Sequence, residues 1–450
     1  MIKKLKKPEL LAPAGNLEKM KTAFAFGADA VYAGIPDFSL RVRINNFTLE
    51  TLAEAVNYAH NLKKKVYITI NIFAHNEHLK ALPKYLEALK KIGPDALIVS
   101  DPGVVSVIQK HWPEAEIHLS TQANCTNGAA AMFWQKIGIK RVILGREVAY
   151  ADILEMKKEA PKLELETFVH GAMCMAYSGR CFLSKYLNGR SANLGDCVQP
   201  CRWEYEVKDG VKNIDSSGSQ SIDLNSKIIS PKGHEALFEL VEEVHGSYIL
   251  NSHDMCLIRR MPELLASGLE SLKIEGRAKS NYYLAMVVGA YRQAIDVCFA
   301  SQNDKLDVKK NKEVIKTIKH LYKELDTKLV QRGYTEGFMF GEGQQAQNLV
   351  NSHNVCEWEF CGQVVADHKV DNDVKISKTA IVVKVHNALK VGDTIEIVAP
   401  GYEIIKNKVA KLWNCETGEL LDSAHGGQGK LVVLDVKRFV PEFSVIRRKL

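Results

Sequence analysis

Short apolar runs recur along the amino-terminal two-thirds of the chain, each just after a glycine: GADAVYAG from Gly27, GPDALIVS from Gly93, GIKRVILG from Gly138 and GLESLKIEG from Gly268. Glycine tolerates the positive φ with which many helices end, and an uninterrupted apolar run suits a strand covered on both faces. The pattern therefore predicts repeated helix–strand units. Between them lie strand-like runs such as KVYITINIF and amphipathic stretches at 50–63, 79–91 and 256–267. Eight strands emerge, at 9–12, 29–33, 66–71, 96–100, 116–120, 141–145, 164–170 and 271–275.

Eight strands alternating with helices over about 300 residues fit a TIM-type (β/α)8 barrel, ordinarily about 250 residues before insertions. A doubly wound open sheet is the alternative, but neither GxGxxG nor GxxxxGK[ST] occurs. The segment 172–250 is too long for one loop and carries four cysteines and a polar run, KDGVKNIDSSGSQ. It reads as an insertion after the seventh strand of a barrel domain at 1–335. Helices are expected at 280–300 and 304–326, then a Gly-rich passage and a linker at 336–354. From 355 to 450 the runs KISKTAIVVKV, DTIEIVAP and GKLVVLDV alternate or are β-branched, and turn signals separate them. They predict a small C-terminal antiparallel β-barrel domain.

Composition agrees with a folded chain of more than one domain: 450 residues, 46% hydrophobic and 25% charged. No apolar run reaches the roughly 18 to 20 residues that cross a bilayer, and the first residues lack the apolar core of a signal peptide. A cytoplasmic chain with no membrane partner is expected. The net charge of +7 permits a polyanionic partner. Basic residues gather at Lys3–Lys7, along 305–328 and at Arg447–Lys449, where solvated helix faces and termini explain them equally well.

Six of the ten cysteines (Cys125, Cys256, Cys298, Cys356, Cys361 and Cys415) sit among apolar neighbours and are expected to pack. The other four, Cys174, Cys181, Cys197 and Cys201, fall within one short stretch. Thiolates are soft ligands for zinc or iron–sulfur clusters. A structural zinc site normally shows two tight knuckles, and here only Cys197 and Cys201 approach one. The spacing favours an iron–sulfur centre, with zinc or no metal as alternatives. Gly171 and Gly179 would let the backbone approach a bulky centre, or are ordinary turn residues. Arg180 or Arg202 would offset thiolate charge, and Tyr177, Phe182 and Trp203 would shield the centre or stack on a base.

Reacting groups in such barrels sit at the carboxyl ends of the strands. His170, Glu275 and Arg277 are the catalytic candidates there; Asn71, Gln122, Arg146 and Glu147 are substrate-binding candidates. Glu275 and Arg277 fit a structural ion pair equally well. Arg41 and Arg43 in SLRVRINNF have forked guanidiniums suited to a dicarboxylate or a phosphate, although their alternation also describes one exposed strand face.

The run ETFVHGAMCMAYSGRCFLS (Glu166 to Ser184), with LLAPAGN, SLKIEGR and CVQPCRW, resembles the peptidase U32 (collagenase-like) family over essentially the whole chain, and within it the branch that modifies tRNA. The resemblance implies prephenate-dependent formation of 5-hydroxyuridine at the tRNA wobble position, the first step toward 5-carboxymethoxyuridine. It also implies that the four cysteines hold a four-iron, four-sulfur cluster. tRNA and an electron-donor protein are the expected partners, the 305–328 helix and the C-terminal barrel being candidates for gripping RNA phosphates.

The family name makes a peptidase the rival reading. HExxH is absent, since Phe238 stands where the second histidine after His234 and Glu235 would fall, and GxSxG is absent too. His170 and Cys174 are the one sequence-local pair for nucleophilic catalysis, and using Cys174 so would leave three cysteines without a role. A third reading is a non-catalytic, cluster-bearing scaffold for a partner hydroxylase.

Overall fold

In a computed structural model of the chain, the described residues are 6–34, 38–39, 47–173, 181, 183–188, 190, 197–203, 205–214, 220–231, 238–240, 252–302, 308–341, 356–366, 379–427 and 430–450. Arg41, Arg43, Cys174, Tyr177, Gly179, Arg180 and Phe182 lie outside them.

Seven strands run in sequence order: β1 (Glu9–Pro13), β2 (Ala30–Ala33), β3 (Lys65–Ile70), β4 (Ala96–Val99), β5 (Ile117–Leu119), β6 (Arg141–Ile143) and β7 (Glu164–Gly171). Helices α1 (Leu17–Ala25), α2 (Leu49–Asn61), α3 (Asn76–Ile92), α4 (Pro102–His111), α5 (Gly128–Lys136) and α6 (Tyr150–Glu159) alternate with them. After α7 (Leu183–Asn188) come an antiparallel sheet, β8 (Tyr205–Ile214), β9 (Gln220–Pro231) and β10 (Phe238–Leu240), then β11 (Asp254–Cys256), α8 (Met261–Ala266) and β12 (Ser271–Ile274). β12 pairs in parallel with both β1 and β7, so the eight parallel strands close into a TIM-type barrel. The eight strands are those expected, with ends shifted by at most two residues.

The recurrent glycine motif has a physical reading. Two residues after three of these glycines an acid reaches the neighbouring strand. Asp29 accepts from Leu10 N at 3.0 Å, Asp95 from Val66 N at 2.8 Å and Glu270 from Leu165 N at 2.9 Å. Each ties a strand's amino end to its neighbour. Asn16, Asp101 and Asn127 cap α1, α4 and α5 through their side chains.

α9 (Asn281–Gln302) and α10 (Val308–Lys328) follow the barrel, and β13 (Tyr334–Thr335) pairs with β11. The C-terminal unit contains β14 (Trp358–Val365), β15 (Ile381–Val385), β16 (Ala388–Lys390), β17 (Thr394–Ala399), β18 (Glu403–Lys408), β19 (Leu412–Asn414), β20 (Ser423–His425), β21 (Leu431–Leu434) and β22 (Val445–Lys449). Seven of these make an antiparallel half-barrel in the order β18-β17-β22-β14-β15-β21-β19, with β16 and β20 paired beside it.

The half-barrel is docked on the barrel through buried groups. Val398, Tyr402 and Val445 belong to the barrel's own apolar core. Gly289 of α9 makes room: a Cβ there would lie 2.7 Å from the Tyr402 ring and 2.9 Å from Phe26. Arg447, fully buried, meets Glu324 of α10 and Glu396 of β17 at 2.6 Å each, and Lys328 bridges the same two carboxylates. The C-terminal basic group is therefore no free patch: Arg448 pairs with Glu359 and Asp393, and Lys449 with Glu357. Five of the six packing cysteines are buried, and Cys356 is half-buried.

Candidate active site

The lower barrel interior holds a layer of charge. Arg141 contacts Glu9 at 2.6 Å, Glu164 at 2.8 Å and Glu166 at 3.2 Å, and Lys273 Nζ lies 2.9 Å from the other oxygen of Glu166. Tyr67 donates to Glu9 at 2.6 Å, and His118 pairs with Glu116. Burial pushes the Glu166 carboxyl up, but Lys273 and Arg141 overcome it and hold it at about 2. Burial lowers the Lys273 ammonium against the pull of Glu166. Glu166, held ionised, opposes the effect of burial on Lys273.

Above this layer two aromatic rings form a floor carrying cations. Lys273 Nζ sits 4.4 Å from the Tyr32 ring centre and 5.5 Å from that of Phe168. Arg277 lies 5.7 Å over Tyr32, and Arg146 stacks 4.1 Å over Phe168. Arg277, just beyond β12, donates to Ser39 at 2.8 Å and Thr69 at 3.2 Å. Arg146, just beyond β6, is half-buried and pairs with no carboxylate among the described residues. Asn71 donates to Gln122 Oε1 at 3.1 Å, and Ser120 donates to the same oxygen. Asn71, Gln122, Arg146 and Arg277 therefore share the carboxyl end of the barrel, with Glu147 half-buried beside Arg146. Ser39, Thr69, Lys273 and Glu166 escaped the sequence reading. The signal for Lys273 was present: a charged side chain between Leu272 and Ile274 in a short strand.

His170 faces elsewhere. Lys273 pairs with Phe168 and Ile274 with His170, so Val169 is an extra residue in β7 that turns the next side chain away from the barrel interior. The rings of Tyr283, Tyr291 and Tyr334 surround the imidazole at 5.4 to 5.9 Å. It is buried, its Nδ1 has no hydrogen-bond partner, and desolvation holds its pKa down at about 4. Glu275 lies at the rim, its N–H donating to His170 O at 2.9 Å. Gly171, at φ +119°, accommodates that neighbour: a Cβ there would stand 2.8 Å from Glu275 O.

Cys181, Cys197 and Cys201 form no disulfide among the described residues, and each is half-buried. Ser184 of α7 accepts from Val198 N at 3.1 Å, Gln199 N–H donates to Cys197 Sγ at 3.3 Å, and Trp203 Nε1–H donates to Val198 O. Ser184 thus holds the Cys197–Cys201 segment to the helix that follows Cys181. Among the described residues, no three His, Cys, Asp or Glu side chains converge closely enough to hold an ion. The donors' chemistry nonetheless fits a soft centre: three thiols in no disulfide, one already accepting a backbone N–H as ligating thiolates do. Cys125, Cys256, Cys298 and Cys361 make poor nucleophiles, burial pushing Cys125 up to about 11 and the other three up to about 12.

A closed parallel barrel with polar groups at the carboxyl ends of its strands is the architecture of a barrel enzyme. The profile of peptidase family U32 matches residues 15–349, and that of the peptidase family U32 C-terminal domain matches 357–447. The chain belongs to the U32 family. It is 41% identical over 414 residues to tRNA hydroxylation protein P of Escherichia coli, covering 88% of this chain and 86% of that one. It is 38% identical to the protein of the same name in Haemophilus influenzae, over 99% and 96% of the two chains. A 23S rRNA 5-hydroxycytidine synthase of E. coli is 31% identical over 74% of this chain and 45% of its own length. No helix among the described residues is long and apolar enough to cross a membrane.

Proposed function

We propose that this chain hydroxylates tRNA, forming 5-hydroxyuridine at the wobble position in a prephenate-dependent reaction that begins the route to 5-carboxymethoxyuridine. The observation that carries the reading is the near full-length identity to two proteins named for tRNA hydroxylation. A relative named as an rRNA hydroxycytidine synthase supports C5 hydroxylation of a pyrimidine as the common chemistry.

The barrel mouth suits the reading. Prephenate is a dicarboxylate, and Arg146 and Arg277 stand over the Phe168 and Tyr32 rings with guanidiniums that match carboxylates in a fork geometry. Asn71 and Gln122 offer amides to a base edge or a substrate hydroxyl. Arg41 and Arg43 remain candidates for the same anion.

Cys174, Cys181, Cys197 and Cys201 would hold a four-iron, four-sulfur cluster. When bound, it supplies electron transfer or activation of an oxygen donor, which side chains alone do not provide. The chain's own residues orient the substrate, exclude water with the Tyr32 and Phe168 rings, and keep His170 a neutral imidazole.

Incubation of the purified protein with prephenate, a reductant and tRNA, followed by nucleoside mass spectrometry, should yield 5-hydroxyuridine. Unmodified tRNA from that assay and from a deletion strain, which instead accumulates an uncleaved protein, would overturn the reading in favour of a peptidase. Anaerobically purified protein should be brown and contain iron and sulfide, and Cys197→Ala should bleach it. Colourless protein with stoichiometric zinc would refute the cluster.

A further inference from the structure

α10 carries a second feature that the barrel chemistry does not use. Its buried residues Val314, Ile318, Leu321 and Leu325 occupy one face, toward α9. Lys312, Lys316, Lys319 and Lys323 occupy the opposite one. At 100° per residue these four fall within an arc of about 60°, with successive lysines about 4.5 to 6 Å apart along the axis and the whole stripe about 16 Å long. All four are exposed, and none pairs with a carboxylate among the described residues. Lysines elsewhere are often matched: Lys90, Lys140, Lys157, Lys328, Lys384 and Lys449 each meet an acid. The one exposed acid of α10 between Lys312 and Lys323 is Glu313.

The stripe is held rigidly. Glu324 and Lys328, at the C-terminal end of the same helix, are locked into the buried cluster with Arg447 and Glu396. Beside that end β18 adds two more exposed lysines: Lys406 pairs across the sheet with Glu396 and Lys408 with Thr394, so both emerge from the face that meets α10. They too have no acidic partner among the described residues. A row of ammonium groups with no carboxylate partner among the described residues, on a helix anchored at its C-terminal end, matches a row of phosphates, with exposed Ile315 beside it.

We infer that the α10 face formed by Lys312, Lys316, Lys319 and Lys323, extended by Lys406 and Lys408, is a docking track for the sugar–phosphate backbone of RNA. The inference rests on the tRNA reading above and adds where the RNA body lies. The track supplies affinity without reading sequence, because lysine meets phosphate as a point charge.

The test is tRNA binding by the full-length protein as a function of salt. Changing Lys312, Lys316, Lys319 and Lys323 together to Gln should weaken binding roughly tenfold or more and lower the slope of log K against log salt by about 3, at roughly 0.7 to 0.9 per lost phosphate contact. A charge-matched variant on the far helices, Lys80→Gln, Lys84→Gln, Lys91→Gln and Lys136→Gln, should leave both unchanged. Circular dichroism melting checks that each variant is folded. Unchanged affinity and slope in the α10 variant, with tRNA bound by the wild type, overturn the track alone; so does a variant that keeps tRNA but loses an acidic protein partner. A wild type that binds no tRNA overturns this inference and the tRNA reading together.

Discussion

Replacing Lys273 by Met tests whether the charged layer inside the barrel is a coupled unit. The ammonium lies 2.9 Å from Glu166, both side chains are at most 4% exposed, and only Arg141, at 3.2 Å, would still answer the carboxylate. Glu166 is held at about 2 against its ordinary 4.5. That displacement is worth about 3 kcal/mol of folding stability. A carboxyl depressed in the fold contributes this above its unfolded value and loses it as pH falls from about 4.5 to about 2. Removing one partner of a buried pair costs about 3 to 5 kcal/mol, so Lys273→Met should lose that much at pH 7 by urea denaturation. Adding Glu166→Gln should recover much of it, because the double variant buries no unmatched carboxylate. A loss below about 1 kcal/mol, or a double variant as unstable as the sum of the two singles, would refute the coupling.

His170 gives a separable pH window. Its folded value of about 4 against about 6.5 unfolded means that stability falls by about 3 kcal/mol as pH drops from about 6.5 to about 4, and His170→Phe should flatten that range while leaving the lower window of Glu166 intact. Gly289→Ala would thrust a methyl against Tyr402 and Phe26; an overpacking loss of about 1 to 3 kcal/mol is expected by calorimetry, and an unchanged melting profile would contradict the tight docking of the two domains. Arg146→Ala should weaken prephenate binding by about 1.5 to 3 kcal/mol, the usual value of a charge-assisted hydrogen bond, as read by titration calorimetry. Equal affinity would remove Arg146 from the anion site.

The barrel was legible because its strands are covered on both faces, so they read as mostly apolar runs, four of them opened by a helix-stop glycine. The insertion's own sheet was not. Its strands β8 and β9 contain KDGVKNI and QSIDLNS, whose mixture of polar and apolar positions reads as a loop. β11 and β13, at three and two residues, fall below any periodicity. His170 reads as a mouth residue because it ends the seventh strand; a single extra residue at Val169 turns it away from the barrel interior, and no composition rule marks it. Arg447 reads as part of a basic terminus because its carboxylate partners lie 123 and 51 residues away.

The acids that follow the helix-stop glycines also bear on the order of assembly. Asp29 and Asp95 reach partners 19 and 29 residues distant, whereas Glu270 reaches Leu165 across 105. The first two latches can close as soon as neighbouring strands exist. The third waits for the entire cysteine-bearing insertion to be synthesised. Lengthening a flexible loop from 29 to 105 residues adds only about 1.1 kcal/mol of closure entropy, but β12 then makes the two least local pairings of the parallel barrel, to β7 across 105 residues and to β1 across 262, and such pairings form slowly. The finished hoop thus has one late strand, β12, which makes both closing joints, and the segment that delays it is the one that carries the thiols.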